Sequence, residues 1–172
     1  VNPVEDAETV ETELMLADLE SLEKRLPALA KKAAQGDKDA KVQVAALTPV
    51  LELLKAGKPA RLAEPKDEEE ARALRNAQLL TTKPVLYVCN VEEASAATGN
   101  AHSEAVARMA AGIGAKAVVV SAAIEAEIAT MEPADRQEYL ESLGLAETGL
   151  ARVVRAAYEL LGLITFFTVG PK

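Results

Sequence analysis

The sequence has no tryptophan, two phenylalanines, three tyrosines, one histidine and one cysteine among 172 residues. A lone thiol cannot close an internal disulfide, and His102, with no second His or Cys at ligand spacing, argues against a zinc centre. No run of 18 apolar residues occurs and no signal-peptide pattern opens the chain, so no membrane span is predicted and a reducing cytoplasm is the expected home. Cys89 sits inside an apolar run and reads as a packing residue. With aromatics scarce and Ala and Leu plentiful, thin-seamed helices are expected to dominate. The formal net charge of -8 excludes broad phosphate-backbone binding by the chain as a whole, although local basic patches remain open to it.

Apolar spacing carries the next step. Met15, Leu19, Leu22, Leu26, Leu29 and Ala33 follow one another at intervals of four and three, the seam of a coiled coil. Ala40, Val44, Leu47, Leu51 and Leu54 repeat the rule, and Gly36 with Asp37 or Asp39 suits a helix stop followed by a new helix cap. So short a connection predicts an antiparallel hairpin with arms of roughly 30–40 Å. Pro27 and Pro49 fall inside these runs without disturbing their phase, so kinks rather than ends are expected. Gly57, Pro59 and Pro65 mark a hinge, after which Asp67 caps a short helix over 67–80 with Leu74 on its buried side.

Past Pro84 the pattern changes. "VLYVCN" is strand-like, "SEAVARMAAGIG" is helical with glycines at its stop, and "KAVVVS" is a second apolar strand. That order predicts a βαβ unit with two parallel strands, covered on both faces. "MEPADRQEYLESLG" and "TGLARVVRAAYELLG" read as helices, the latter with Leu150, Val153, Val154, Ala157, Leu160 and Leu161 on one stripe. "LITFFTVG" reads as a closing strand with no partner nearby. Two parallel strands and a lone edge are too little for a stable sheet, so the chain is expected to be part of a larger protein, as its start at Val1 also suggests.

Ligands of open parallel sheets bind beyond the carboxyl ends of the strands. Asn90–Glu93 and Ser121–Ala123 lie at two such ends and should share one crevice. An Asn amide both donates and accepts while a carboxylate only accepts, a set that fits the edge of a purine base. On the residues alone the favoured reading is the other one, that Asn90 and Glu93 merely cap the following turn, because Asx turns after strands are common.

"KPVLYVCNVEE", "VVVSAAIEAEI", "ETGLARVVRAAYELLGLITFFTVGPK" and "VNPVEDAETVETELMLADLESLEKRL" together resemble the YchF/Obg-like ATPase family, a branch of the P-loop GTPases. The resemblance runs the whole length of the chain. It implies a coiled-coil insertion over 1–65, the second half of a nucleotide-binding domain over 66–162, and the first strand of a β-grasp TGS domain over 163–172. It also implies an Asn-x-x-Glu base motif at Asn90, Val91 and Glu93 in place of Asn-Lys-x-Asp, and a second base-contacting loop at Ser121, Ala122 and Ala123. This departure is associated with ATP as well as GTP; the longer Glu93 moves the carboxylate, and Val91, replacing a Lys, is expected to pack on the base. The family's phosphate loop has no counterpart in the sequence, since Gly57-Lys58 has Glu52 where a Gly belongs and Pro59 where a hydroxyl belongs. Magnesium and triphosphate would therefore be held by other parts of the complete protein, and no hydrolysis is expected from this stretch alone.

Lys31, Lys32, Lys38 and Lys41 gather at the expected hairpin tip. On the residues alone they read as a solvated end before an RNA or ribosome contact, and the resemblance, whose members associate with ribosomes, brings the two readings level. The fold expected is α/β and helix-rich: a coiled-coil hairpin attached to a partial P-loop nucleotide hydrolase domain. The competing expectation is a non-enzymatic module in which the hairpin docks a protein or RNA partner.

Overall fold

The computed structural model describes residues 2–170 and divides them into two compact units, one of Glu5–Pro84 and the other of Val85 onward with the chain start up to Val4. Three helices make up the first: α1 (Pro3–Ala34), α2 (Lys38–Lys55) and α3 (Glu68–Asn76). At 1.5 Å per residue the 32 residues of α1 span about 48 Å, longer than expected because the helix begins at Pro3 rather than near Glu8. Pro3 suits a first helical position, where the missing N–H costs nothing. Both helices run unbroken through Pro27 and Pro49, as the preserved spacing predicts.

Gly36 ends α1 at φ +98°, with the Gly36 N–H donating to Ala33 O at 3.1 Å and the Asp37 N–H to Lys32 O at 3.2 Å. A side chain there would strain the left-handed turn, and Asp37 then starts α2 by accepting the Ala40 N–H at 3.0 Å. The two seams meet: Leu22, Leu47, Val50 and Leu54 are buried together, with Met15, Leu19, Leu26, Leu29 and Leu51 packed against them. Each fully buried Leu contributes about 1.5–3 kcal/mol. Asp67 caps α3 through the Glu70 N–H at 2.8 Å, and Leu74, Ala77 and Leu79 join the same cluster. Residues 66–84, assigned by sequence to the nucleotide-binding half, thus pack with the helical pair.

In the second unit β1 (Leu86–Asn90) lies parallel to β2 (Lys116–Val120), joined through α4 (Ala101–Gly112). Then come α5 (Ala122–Thr130), α6 (Pro133–Ser142) and α7 (Gly149–Leu160). The register pairs Leu86 with Lys116 and Asn90 with Val120, so both strands end on one line. Ile124, Ile128, Leu140, Leu145 and Ala96 form a second core under α5 and α6.

Three expectations need correction. The sheet is not buried on both faces: every residue of β2 is only half-buried and Val88 is half exposed, since two strands have few neighbours to cover them. On α7, Leu150 and Val154 of the expected buried stripe are exposed, as is Leu161 just beyond, while Val153, Ala157 and Leu160 are half-buried. The closing strand does not form over 163–170, where Phe167 and Val169 are 94% and 96% exposed and the backbone pairs with neither β1 nor β2. Residues 171–172 lie outside the described residues.

Candidate functional site

The two strand tips are stitched together. The Val91 N–H donates to Val120 O at 2.9 Å, extending the ladder one step beyond the strands. Next to it the Ala122 N–H donates to Asn90 Oδ1 at 2.9 Å. Asn90, Ala122 and Ala123 are exposed at the carboxyl end of the pair, whereas Val91 is buried and backs the turn, leaving little of its side chain for a ring to rest on. With Oδ1 committed to Ala122, what Asn90 has left to offer a ligand is chiefly its amide donor.

The adjacent glutamates have different surroundings. Glu92 accepts from Ser95 Oγ and, at 3.2 Å, from Asn100 Nδ2. The Ser95 bond first and its own backbone next, with smaller help from Asn100 and the nearby His102, hold the Glu92 carboxyl below its ordinary value against burial, which raises it. Asn100 also caps α4, accepting the Ser103 N–H at 3.0 Å while Ser103 Oγ receives the Asn100 N–H at 2.8 Å. Glu92 is therefore part of the scaffold. Glu93 opens a single 3-10 turn (Glu93–Ser95) and is exposed, and its carboxylate makes no hydrogen bond or ion pair among the described residues. Its charge is felt by Tyr139, whose hydroxyl donates to Glu127; that bond first, then burial and the two carboxylates, push the phenol up to about 12.

Ser121 precedes α5 but does not cap it, and its Oγ is buried without a hydrogen-bond partner. An orphaned buried hydroxyl carries a desolvation cost, and here it lies beside the unsatisfied N–H groups of a helix start. Donors from Asn90 and the α5 turn, together with the free Glu93 acceptor, form a set suited to the polar edge of a flat heterocycle. Alongside, Tyr87–Glu92, Asn100, His102, Ser103 and Val106 line an open groove of about 460 Å³. Cys89 is half-buried there, and burial raises its thiol above the ordinary value.

Lys31, Lys32, Lys38 and Lys41 belong to the other unit, all exposed around the turn between α1 and α2. Sequence reasoning passed over α5 as a helix, although Ile124 and Ile128 stand four apart, and it passed over Glu125 and Arg152 entirely. Among the described residues no group of three His, Cys, Asp or Glu side chains could hold a metal ion, and no helix is long and apolar enough to cross a membrane.

No protein-family model matches the chain. Over its whole length it is 44% identical to the ribosome-binding ATPase YchF of Bacillus subtilis (strain 168) and 43% identical to that of Escherichia coli O157:H7. Along its whole length the chain is similar to the YchF family. It spans about half, 47%, of the length of these curated relatives. The structure of the Schizosaccharomyces pombe YchF GTPase superposes with a TM-score of 0.83 over 99% of this chain and 47% of that one, at 24% identity, a likeness of fold. The YchF relatives run on beyond the length matched here, which agrees with a two-stranded sheet and a tail that lack neighbours.

Proposed function

We propose that this chain is the base-reading half of the nucleotide-binding domain, with a coiled-coil arm, of a ribosome-associated P-loop hydrolase of ATP or GTP. The observation that carries the reading is the Asn90–Ala122 hydrogen bond, which joins two loops at one strand end while leaving Glu93 uncommitted. Asn90 then donates its amide N–H to a ring nitrogen, which both purines present, so that it recognises a purine without choosing between them. Glu93, an acceptor only, seeks an exocyclic amine. Ser121, Ala122 and Ala123 supply the second wall, and Val91 supports the first from below.

The packing and the names of the relatives support the rest. Residues 1–65 form the antiparallel coiled-coil insertion, 66–162 continue the nucleotide-binding domain, and 163–172 begin a TGS domain. The triphosphate and magnesium are held by residues outside this sequence, so no chemical step falls to the side chains described here. A cytoplasmic protein meeting ribosomes through the arm fits the ribosome-binding relatives. Without a phosphate loop, the isolated chain acts as a binding module for a protein or RNA partner.

Calorimetry on the full-length protein tests the reading. ATP should bind at least as tightly as GTP, and Glu93→Ala should weaken the ATP complex about tenfold, the value of a charge-assisted hydrogen bond. Strict preference for GTP, or an unchanged ATP affinity in the variant, would overturn it.

A further inference from the structure

The first turn of α7 is tied to both loops of the candidate site. The Gly149 N–H donates to Glu125 Oε1 at 2.6 Å and the Leu150 N–H to Glu125 Oε2 at 3.2 Å. One carboxylate from α5, the helix that opens with Ala122 and Ala123, thus caps α7 from outside, where the helix dipole favours negative charge. Thr148 closes the same end by accepting the Ala151 N–H at 3.0 Å. The fit is close: a Cβ on Gly149 would lie 3.0 Å from Glu125 Oε1 and 3.2 Å from Val120 Cβ, at the tip of β2.

Arg152, in the same turn, reaches the other loop. Its Nη1 donates to Ala96 O at 3.4 Å, and the Ala96 N–H in turn donates to Glu93 O at 3.0 Å. Arg152 Nε is buried with no partner, and the guanidinium makes no ion pair among the described residues. Arg152 is half-buried, and a cation placed under a loop with an unsatisfied Nε is a costlier filling than an apolar side chain of similar volume. Its cost makes sense if the contact it makes has to hold the loop in place.

We infer that Glu125 and Arg152 are positioning residues that clasp the Asn90–Glu93 turn and the Ala122–Ala123 turn at a fixed spacing through the first turn of α7. The inference rests on the base-reading role proposed above and adds the device that sets its geometry. Glu125 holds one loop's helix and Arg152 holds the other loop's turn, so any displacement of α7 changes the gap between them. Neither side chain touches the ligand.

The test uses full-length protein carrying Glu125→Gln, Arg152→Met, Arg152→Lys or Asn90→Ala, titrated with ATP and with inorganic tripolyphosphate as a probe for the phosphate subsite alone. Expected is a loss of ATP affinity of about 5- to 10-fold in Glu125→Gln and Arg152→Met, partial recovery in Arg152→Lys, and unchanged tripolyphosphate binding. Equal losses for both probes would mean general destabilisation and would overturn the clasp. Unchanged ATP affinity in Arg152→Met and Glu125→Gln, with Asn90→Ala strongly impaired, would also overturn it while leaving the base-reading role intact. Unchanged ATP affinity in Asn90→Ala would remove the base-reading role and the clasp together.

Discussion

Asn90 and Ala122, 32 positions apart, are joined by a 2.9 Å hydrogen bond from the Ala122 N–H to the Asn90 side-chain oxygen. The bond exists only because parallel pairing puts Asn90 opposite Val120, two residues before Ala122. The two ends of one amide are thus in different states: the oxygen holds the loops together and the nitrogen makes no hydrogen bond among the described residues. Replacement by Asp and by Ala therefore separates the two tasks. Asn90→Asp keeps an acceptor for Ala122 but loses the donor, so full-length protein should retain its thermal midpoint and lose about tenfold in ATP affinity. Asn90→Ala should lose both, with stability falling by about 0.5–1.5 kcal/mol. Equal melting curves for the two variants would count against this division.

In the helical unit the corresponding knot is Asp18. Its carboxylate is buried and accepts the Leu80 N–H at 2.7 Å, the Thr81 N–H at 2.8 Å and the Thr81 hydroxyl at 2.7 Å. Thr81 Oγ1 in turn accepts the Ala60 N–H at 2.9 Å, so one side chain on α1 fixes two loops. Asp18→Ala leaves these donors without an acceptor and should cost about 2–4 kcal/mol in urea unfolding. Asp18→Asn turns its NH₂ toward donors and should cost nearly as much, while Thr81→Val should cost less. An Asp18→Asn variant within about 0.5 kcal/mol of wild type, the range of ordinary surface changes, would contradict this account.

Local pattern was enough to reveal much of this fold, and the exceptions have a common cause. Leu22, Leu47 and Leu54 were readable because a helix brings every third or fourth residue to one face, and Asp37 and Asp67 because a cap acts within its own turn. The parallel strands and the adjacency of their carboxyl ends followed from their order. Asp18 was invisible: on a helix it reads as surface, and its partners lie more than 60 positions away. Glu92 and Glu93 are adjacent side chains of one type, and the Ser95 hydroxyl together with the cap at Asn100 decides which one is held. Leu150 and Val154 show the converse, since amphipathic spacing states that a face wants cover but not which part of a protein supplies it.

Titration should expose the Tyr139–Glu127 pair. The phenol donates to a carboxylate and, pushed up to about 12, stays protonated above the ordinary tyrosine range near 10. Its contribution to stability is thus fully present below about pH 10 and is lost as pH rises through about 12. Ultraviolet difference titration should show one of the three tyrosines ionising late, and Tyr139→Phe should abolish that late phase. Glu92 behaves oppositely: its folded-state pKa is lowered, so what it contributes is present above the ordinary carboxyl value and fades as pH falls below it. Loss of the Glu92–Asn100 contact on acidification should appear as faster amide exchange at Ser103, whose N–H is held by Asn100, the cap of α4. A late phase that survives in Tyr139→Phe would assign it to another residue.

At the turn between α1 and α2, Lys31, Lys32, Lys38 and Lys41 stand exposed in a chain of net charge -8. Asp37, which caps α2, and Asp39 offset part of this charge, so the patch is local and modest. Such a patch meets a phosphate backbone by releasing counterions, which makes binding fall steeply with salt. If the arm contacts ribosomal RNA, full-length protein with all four lysines replaced by Glu should no longer co-sediment with ribosomes at moderate salt. Because the four side chains are solvated, the same protein should melt within about 0.5 kcal/mol of wild type, as surface substitutions usually do. Nucleotide affinity should be unchanged, since these residues lie outside the unit that carries Asn90 and Glu93. Undiminished sedimentation in the fourfold variant would assign the ribosome contact to another surface and leave these lysines as a solvated helix end.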